Sequence, residues 1–134
     1  MRRFGCALLV AAAIGSVGVG CSSPTVNSSG CTQPPADLVS QITSQVSDVG
    51  DIRNPRSYVA GSGWTFISLE RRTPSQVSAN DNGDIMTFAS RSDDSSIKAV
   101  DEQARKGSTF GAAPFDVRQQ GAIESRGCVY TARG

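Results

Sequence analysis

The chain of 134 residues predicts a small α+β domain, in which an antiparallel sheet packs against one or two helices and one disulfide closes the fold. Three observations support this fold class. Apolar residues recur at helical spacing around residue 40, and aromatic and β-branched residues cluster at 58–69 and 85–89. Two cysteines, Cys31 and Cys128, stand near the two ends of the same region.

The first helix is predicted to begin after Pro34 and to end at Gly50. A proline and an acidic residue in the first turn are typical of helix starts, and glycine is a common helix stop. One face of this helix is apolar and carries Leu38, Ile42, Val46 and Val49.

Two strands are predicted next, over residues 58–69 and 85–89. Both are rich in strand-forming residues, and a bulge or tight turn at Gly61-Ser62-Gly63 interrupts the first. Because residues 73–84 between them are polar, we expect a long loop that joins the two strands into an antiparallel hairpin.

A second helix is predicted from the cap Asp93-Asp94-Ser95-Ser96 to Gly107. Its apolar positions are Ile97, Val100 and Ala104, and its charges form the i,i+4 pairs Asp101–Arg105 and Glu102–Lys106. This charge pattern indicates a solvated helix face without a site. The remainder, residues 110–132, is predicted to hold a hairpin or a single strand, and then a terminal strand that includes Cys128.

The first 20 residues have a different character. Arg2 and Arg3 precede an uncharged, mostly apolar stretch from Phe4 to Val19, and small residues follow. This order predicts an export signal that is cleaved off. The alternative is an uncleaved membrane anchor, which requires about 17–25 apolar residues. The stretch is at the lower limit of that range and rich in glycine.

Val19-Gly20-Cys21, followed by Ser22, resembles the lipobox of bacterial lipoprotein precursors, with Gly18 where an aliphatic residue is usual. The resemblance covers about residues 1–22. It implies cleavage before Cys21, lipid on that cysteine, and a protein anchored at the extracytoplasmic face of the cell membrane, or at an outer membrane if the source has one. Residues 21–33 then form a polar tether and residues 34–134 the domain. Cleavage at a nearby small residue, which releases a soluble secreted protein, is the alternative.

The remaining cysteines are expected to form a disulfide. Cys6 lies in the predicted leader and Cys21 is assigned to lipid, which leaves Cys31 and Cys128 as an even pair in an oxidising compartment. The chain has no C-x-x-C spacing and no histidine, so we expect neither a redox pair nor a metal site at these thiols.

Charge and composition argue against several function classes. Without Arg2 and Arg3 the mature chain has 11 basic and 12 acidic side chains, a balance that argues against nucleic acid as a partner. The lack of histidine removes Ser-His-Asp and Cys-His catalysis and the commonest zinc ligand. We therefore expect no catalytic residue, no metal and no cofactor.

Acidic pairs are the only candidates for hydrolytic chemistry, namely Asp81 with Asp84 and Asp93 with Asp94. Both pairs stand in a loop or at a helix cap, where acids have structural roles. The acidic loop 80–84 lacks the acids of a calcium-binding EF-hand loop, and a β-turn accounts for it better.

Trp64 is the single candidate for a binding anchor, because exposed tryptophan often dominates binding energy. A core position beside Phe66 or Phe88 is the favoured interpretation. The function that these patterns predict is a non-catalytic envelope module that meets the membrane through Cys21 and binds an envelope protein or a small ligand. The alternatives are a small envelope hydrolase that uses carboxylates, and an inhibitor or exclusion lipoprotein that acts on an external protein.

Overall fold

The computed structural model describes residues 30–61, 63–91, 93 and 96–133, so the predicted leader and Cys21 lie outside the described residues. It contains a four-stranded antiparallel sheet, four helices and the Cys31–Cys128 disulfide, which confirms the α+β fold class. In chain order the elements are α1 Ala36–Thr43, β1 Asp51–Val59, β2 Trp64–Arg72, α2 Pro74–Ala79, β3 Asp84–Arg91, β4 Ile97–Ala99, α3 Glu102–Gly107 and α4 Gln120–Arg133.

The four strands lie in the sheet in their sequence order, and each is antiparallel to its neighbour. The predicted pairing of the strands near residues 66 and 88 is confirmed. The outer strand β1 contains Pro55, which lacks a backbone N–H and is therefore tolerated in sheets mainly at edge strands and bulges. Next to it Asn54 has a φ of 55° where the register with β2 shifts, so a β-bulge bends this edge.

The segment before α1 lies along the edge strand β1. Thr32 and Ser57 exchange two backbone hydrogen bonds of 2.9 and 2.8 Å, and Cys31 is buried. Residues 31 and 32, which the sequence pattern assigned to the tether, are therefore part of the folded domain.

The sheet separates two apolar clusters because side chains alternate along each strand. The larger cluster lies on the side of α1 and α3 and includes Ile42, Ile67, Leu69, Met86, Phe88 and Ala104. The smaller cluster lies on the side of α4 and includes Phe66, Ala89, Val100 and Ala122. Since the second cluster is small, polar side chains fill the rest of the space between the sheet and α4.

Helix α1 is shorter than the sequence predicted, because it ends at Thr43 and not at Gly50. The chain after it turns to meet the segment that follows α3. Ser47 N–H donates to the Gly107 carbonyl at 2.8 Å, and Thr109 N–H donates to the Gln45 carbonyl at 3.1 Å. These backbone bonds replace the last predicted turns of the helix.

The predicted polar loop 73–84 contains a short helix, α2. Thr73 accepts a hydrogen bond from Gln76 N–H, and the Gln76 side chain accepts one from Thr73 N–H. This reciprocal capping box, with Pro74 in the first turn, is a sequence signal for a helix start. The sequence interpretation missed it because the segment is polar and was assigned to a loop.

The second predicted helix begins later than expected. Ile97 and Ala99 belong to β4, where they complete the larger cluster, and the helix itself starts after Asp101. Of the two predicted ion pairs, Glu102–Lys106 forms at 2.6 Å, whereas Asp101 pairs with Arg126 on α4.

The prediction of terminal strands is wrong, because residues 120–133 form α4. Val129-Tyr130-Thr131 has the composition of a strand, but the buried residues fall at helical spacing: Gly121, Ala122, Ser125, Cys128 and Val129. Because most of these side chains are small, the helix can lie close to the sheet. The Cys31–Cys128 pairing itself is confirmed, with a Cα–Cα distance of 5.8 Å, but it ties the start of the domain to a helix.

Candidate functional site

The polar layer between the sheet and α4 is centred on Glu70 of β2, whose side chain is fully buried. Arg53 Nη2 donates to Glu70 Oε2 at 2.8 Å, and the Gly83 N–H donates to the same oxygen at 2.6 Å. Arg133 Nε lies 3.2 Å from Oε1 without the alignment of a hydrogen bond, so this contact is an ion pair. One carboxylate thus joins β1, the loop before β3 and the end of α4.

The partners of Glu70 keep it ionised. Burial by itself raises the pKa of a carboxyl group, but the hydrogen bonds from Gly83 and Arg53 and the charge of Arg133 outweigh it and lower the pKa of Glu70 to about 2. A carboxylate that is enclosed and ionised in this way is suited to hold elements together. It is poorly suited to donate a proton to a substrate.

Three hydroxyl groups continue the polar layer toward β3. Ser68 Oγ lies 2.9 Å from Thr87 Oγ1 and 2.8 Å from Ser125 Oγ, and all three residues are fully buried. They satisfy one another across β2, β3 and α4. No acid or base that could activate a hydroxyl nucleophile contacts Ser68 or Ser125 among the hydrogen bonds of the described residues.

The second buried ion pair joins Asp101 to Arg126 of α4. The other carboxylate oxygen of Asp101 accepts the Ala104 N–H at 2.8 Å and so caps α3. Burial raises the pKa of Asp101, and the hydrogen bonds from Ala104 and Thr87 and the charge of Arg126 offset only part of that effect. The side chain of Asp101 is only 6% exposed, whereas that of Arg126 is 27% exposed.

An open pocket of about 250 Å³ lies beside this ion pair. Asp101, Glu102, Gln103, Val117 and Arg126 line it, so it contains two acidic residues that are neighbours in sequence. Each acid has a partner, because Glu102 pairs with Lys106 as Asp101 does with Arg126. This pocket is a concave site on the described part of the chain.

The acidic residues considered in the sequence are placed elsewhere. Asp84 pairs with Arg71 at 3.4 Å, and the carboxylate of Asp93 receives two hydrogen bonds of 2.9 Å from Arg91. Asp81 is exposed in the loop before β3, and Asp94 lies outside the described residues. None of these residues lines the pocket.

Trp64 is partly buried at the rim of the smaller cluster. Its ring is nearly perpendicular to that of Phe115, with the two centroids 5.1 Å apart, and the guanidinium of Arg91 lies over the indole, 5.1 Å from its centre. Phe115 in turn contacts Phe66 at 5.5 Å. The domain therefore contacts the indole through Phe115 and, on one face, through Arg91.

Two further properties concern the described residues only. They contain no group of three or more acidic, cysteine or histidine side chains that could hold a metal ion. None of their helices combines the length and the hydrophobicity that a bilayer-spanning helix requires.

Sequence reasoning missed the roles of Glu70, Asp101 and Arg126. For Glu70 a signal existed, because it shares strand parity with the buried Phe66 and Ser68 and so had to point toward the interior. For Asp101, the sequence would have predicted an N-cap if residues 97–99 had been assigned to a strand, because the short helix then begins directly after it. The partner Arg126 is 25 residues away, and no local pattern predicts that contact.

Comparisons with family models, with curated proteins and with solved structures find no match for this chain.

Proposed function

We propose that this chain is a lipid-anchored, extracytoplasmic protein whose domain is a non-catalytic binding module of the cell envelope. The observation that carries the proposal is the Cys31–Cys128 disulfide, because structural disulfides form and persist in oxidising compartments. It agrees with the leader expected over residues 1–20 and with Cys21 as the residue that follows the cut.

Lipid on Cys21 is sufficient as an anchor. Each buried methylene group contributes about 0.8 kcal/mol, so one acyl chain binds a membrane reversibly and two or more hold a protein durably. A diacylglyceryl group on this cysteine therefore anchors the domain without a membrane-spanning helix.

The charged groups of the domain favour binding over catalysis. Glu70 is enclosed by its arginine partners, and Asp101 is held by the start of α3 and by Arg126. Both carboxylates already have partners within the fold, and the surface and the open pocket beside α3 are left for a binding partner.

A carboxylate hydrolase is the second candidate, since Asp101 and Glu102 line the same pocket and burial raises the pKa of Asp101. It predicts release of fragments from purified cell wall. Loss of that release in both Asp101→Asn and Glu102→Gln, but not in Glu124→Gln, would establish the hydrolase. No release by folded wild-type protein would exclude it for this substrate.

The anchoring proposal is tested by expressing the full chain as wild type, Cys21→Ser and Cys6→Ser, and measuring membrane fractionation and intact mass. We expect wild type and Cys6→Ser to yield the same lipidated mass in the membrane, because Cys6 leaves with the leader. Cys21→Ser should leave the membrane fraction or accumulate as an uncleaved precursor. A wild-type product that keeps its leader or carries no lipid would overturn the proposal.

A further inference from the structure

The outward surface of α4 carries two large apolar side chains that are about half exposed. Ile123 is 48% exposed and Tyr130 is 54% exposed. Residues seven apart lie on the same side of a helix, two turns from each other. The exposed Gly127 between them adds no side chain. These three residues form the outer face of α4.

The chain toward Cys21 leaves the domain beside this helix. Cys31 is bonded to Cys128 in α4 with a Cα–Cα distance of 5.8 Å, so Gly30 lies within about 10 Å of the middle of α4. Nine residues separate Cys21 from Cys31, and the ten Cα–Cα steps between them span at most roughly 35 Å when the chain is fully extended. That reach is comparable to the diameter of a domain of about 100 residues.

We propose that the outer face of α4 rests on the lipid bilayer, with Ile123 and Tyr130 at the boundary between headgroups and acyl chains. The inference rests on the proposed function, because lipid on Cys21 is what confines the domain to the membrane surface. A short tether gives an effective concentration on the order of millimolar, so a weak contact suffices to orient the domain.

The chemistry of the face agrees with a lipid surface. Tyrosine is enriched at membrane interfaces because its ring is apolar and its hydroxyl is polar. The cations nearby are already engaged: Arg133 pairs with Glu70 and lies 5.3 Å from the Tyr130 ring, and Arg126 pairs with Asp101. The contact therefore depends on apolar burial and not on anionic headgroups.

Val59 provides a matched control for this surface. It is 68% exposed, and its register with Thr65 places it on the opposite side of the sheet from Tyr58, which pairs with the α4-facing Phe66. If α4 rests on the membrane, Val59 points away from it. An indole introduced at either position reports its distance from lipid.

The experiment uses the lipidated full-length protein, purified in detergent and reconstituted into phosphatidylcholine vesicles with or without bromine in the acyl chains. In a Trp64→Phe background, Tyr130→Trp and Val59→Trp each supply a single indole. Brominated lipid should strongly quench the emission from position 130, because aromatic side chains at the interface lie at the headgroup level, and should leave the emission from position 59 nearly unchanged. Adding anionic lipid should change neither result.

Intact mass of each preparation separates the two proposals. Lipidated protein with equal quenching at positions 59 and 130, or with none at position 130, would overturn the orientation and leave the anchor intact. Protein without lipid on Cys21 would overturn both. A dimer in detergent that Ile123→Ser dissociates would assign the face to a second copy and so contradict the lipid contact.

Discussion

Gly121, in the first turn of α4, lies directly over the ring of Phe66 in β2. A Cβ atom on this glycine would be 2.3 Å from Phe66 Cδ2 and 2.4 Å from Cε2. The ring is fully buried and packs against Phe115, so it has little room to move away from an added methyl group. This close approach sets the distance between α4 and the sheet, on which the contacts of Arg126 and Arg133 depend.

The substitution Gly121→Ala should therefore destabilise the domain. An added methyl group in a filled site displaces the ring or the helix, which typically costs about 1–3 kcal/mol. Urea denaturation followed by circular dichroism measures the change in the free energy of unfolding.

The matched control for this prediction is Gly127→Ala in the same helix. A Cβ atom there meets nothing within 4 Å, and alanine is the better helix former. The free energy of unfolding should rise by up to about 1 kcal/mol. Equal losses at the two glycines would contradict the close contact, and a loss at Gly127 alone would contradict the helical state of residues 120–133.

The sequence predicted those parts of the fold whose signals are local. The aromatic and β-branched residues around Phe66 and Phe88 predicted the central strands and their pairing, and two cysteines in a chain that is expected to be exported predicted the disulfide. The helical stripe around Ile42 predicted α1, although not its end. The strand and helix signals each lie within a single element, and the disulfide prediction depends only on the number of cysteines that remain.

The parts that the sequence concealed depend on distant contacts. Val129-Tyr130-Thr131 favours a strand locally, whereas the packing of Gly121 and Ser125 against β2, which favours the helix, involves residues far away in the sequence. Likewise, Ile97 fits a helical stripe in the sequence, but in the structure its segment pairs with β3 and forms a strand. The polar layer around Glu70 is built from residues in separate regions of the chain, so no single region of the sequence predicts which residues form it.

Replacing the buried carboxylate in Glu70→Gln should lower the free energy of unfolding by about 2–4 kcal/mol at neutral pH. The amide can still accept the Gly83 N–H, but Arg53 and Arg133 lose their counter-charge. Glu102→Gln is the matched control, because its pair with Lys106 is exposed and such pairs contribute at most about 1 kcal/mol. Urea denaturation at low and high salt measures both. Equal effects would contradict a structural role for the buried site.

Glu70 should also govern part of the acid denaturation. Its pKa is about 2 in the folded protein against 4.5 for the free side chain. Its contribution to stability is therefore complete above pH 4.5 and declines as the pH falls toward about 2. The change is on the order of 3 kcal/mol at most. A comparison of unfolding midpoints over this pH range should show a shallower acid decline in Glu70→Gln, and identical slopes would refute the lowered pKa.

The disulfide should contribute strongly to stability because it closes a long loop. Its cysteines are 97 residues apart, and the chain-entropy model assigns such a loop up to about 4–5 kcal/mol. The double variant Cys31→Ser/Cys128→Ser should have a lower urea midpoint than wild type, by the same amount as reduction lowers the midpoint of wild type. Reductant should not change the midpoint of the double variant. Intact mass after alkylation without reduction is the check, and two labelled thiols in native protein would disprove the bond.

Asp101 and Arg126 should respond unequally to substitution. Asp101→Asn keeps an acceptor for the Ala104 N–H and leaves a partly exposed arginine that can reach water, so we expect a loss of about 1 kcal/mol. Arg126→Met leaves a buried carboxylate without a cation, and we expect a loss of about 2–4 kcal/mol. Urea denaturation of both single variants and of the double variant measures the coupling.

The pH dependence of the free energy of unfolding tests why Arg126→Met should be more destabilising than Asp101→Asn. Burial raises the pKa of Asp101 above 3.8, so the folded protein holds that proton more tightly than the unfolded chain. The stability contribution of Asp101 therefore declines as the pH rises from 3.8 through its folded pKa. Arg126→Met should steepen this decline, because loss of the cation raises the pKa further, and adding Asp101→Asn should abolish it. If Arg126→Met shows no greater decline than wild type, the carboxylate does not depend on Arg126, and the ion pair does not hold α4 to α3.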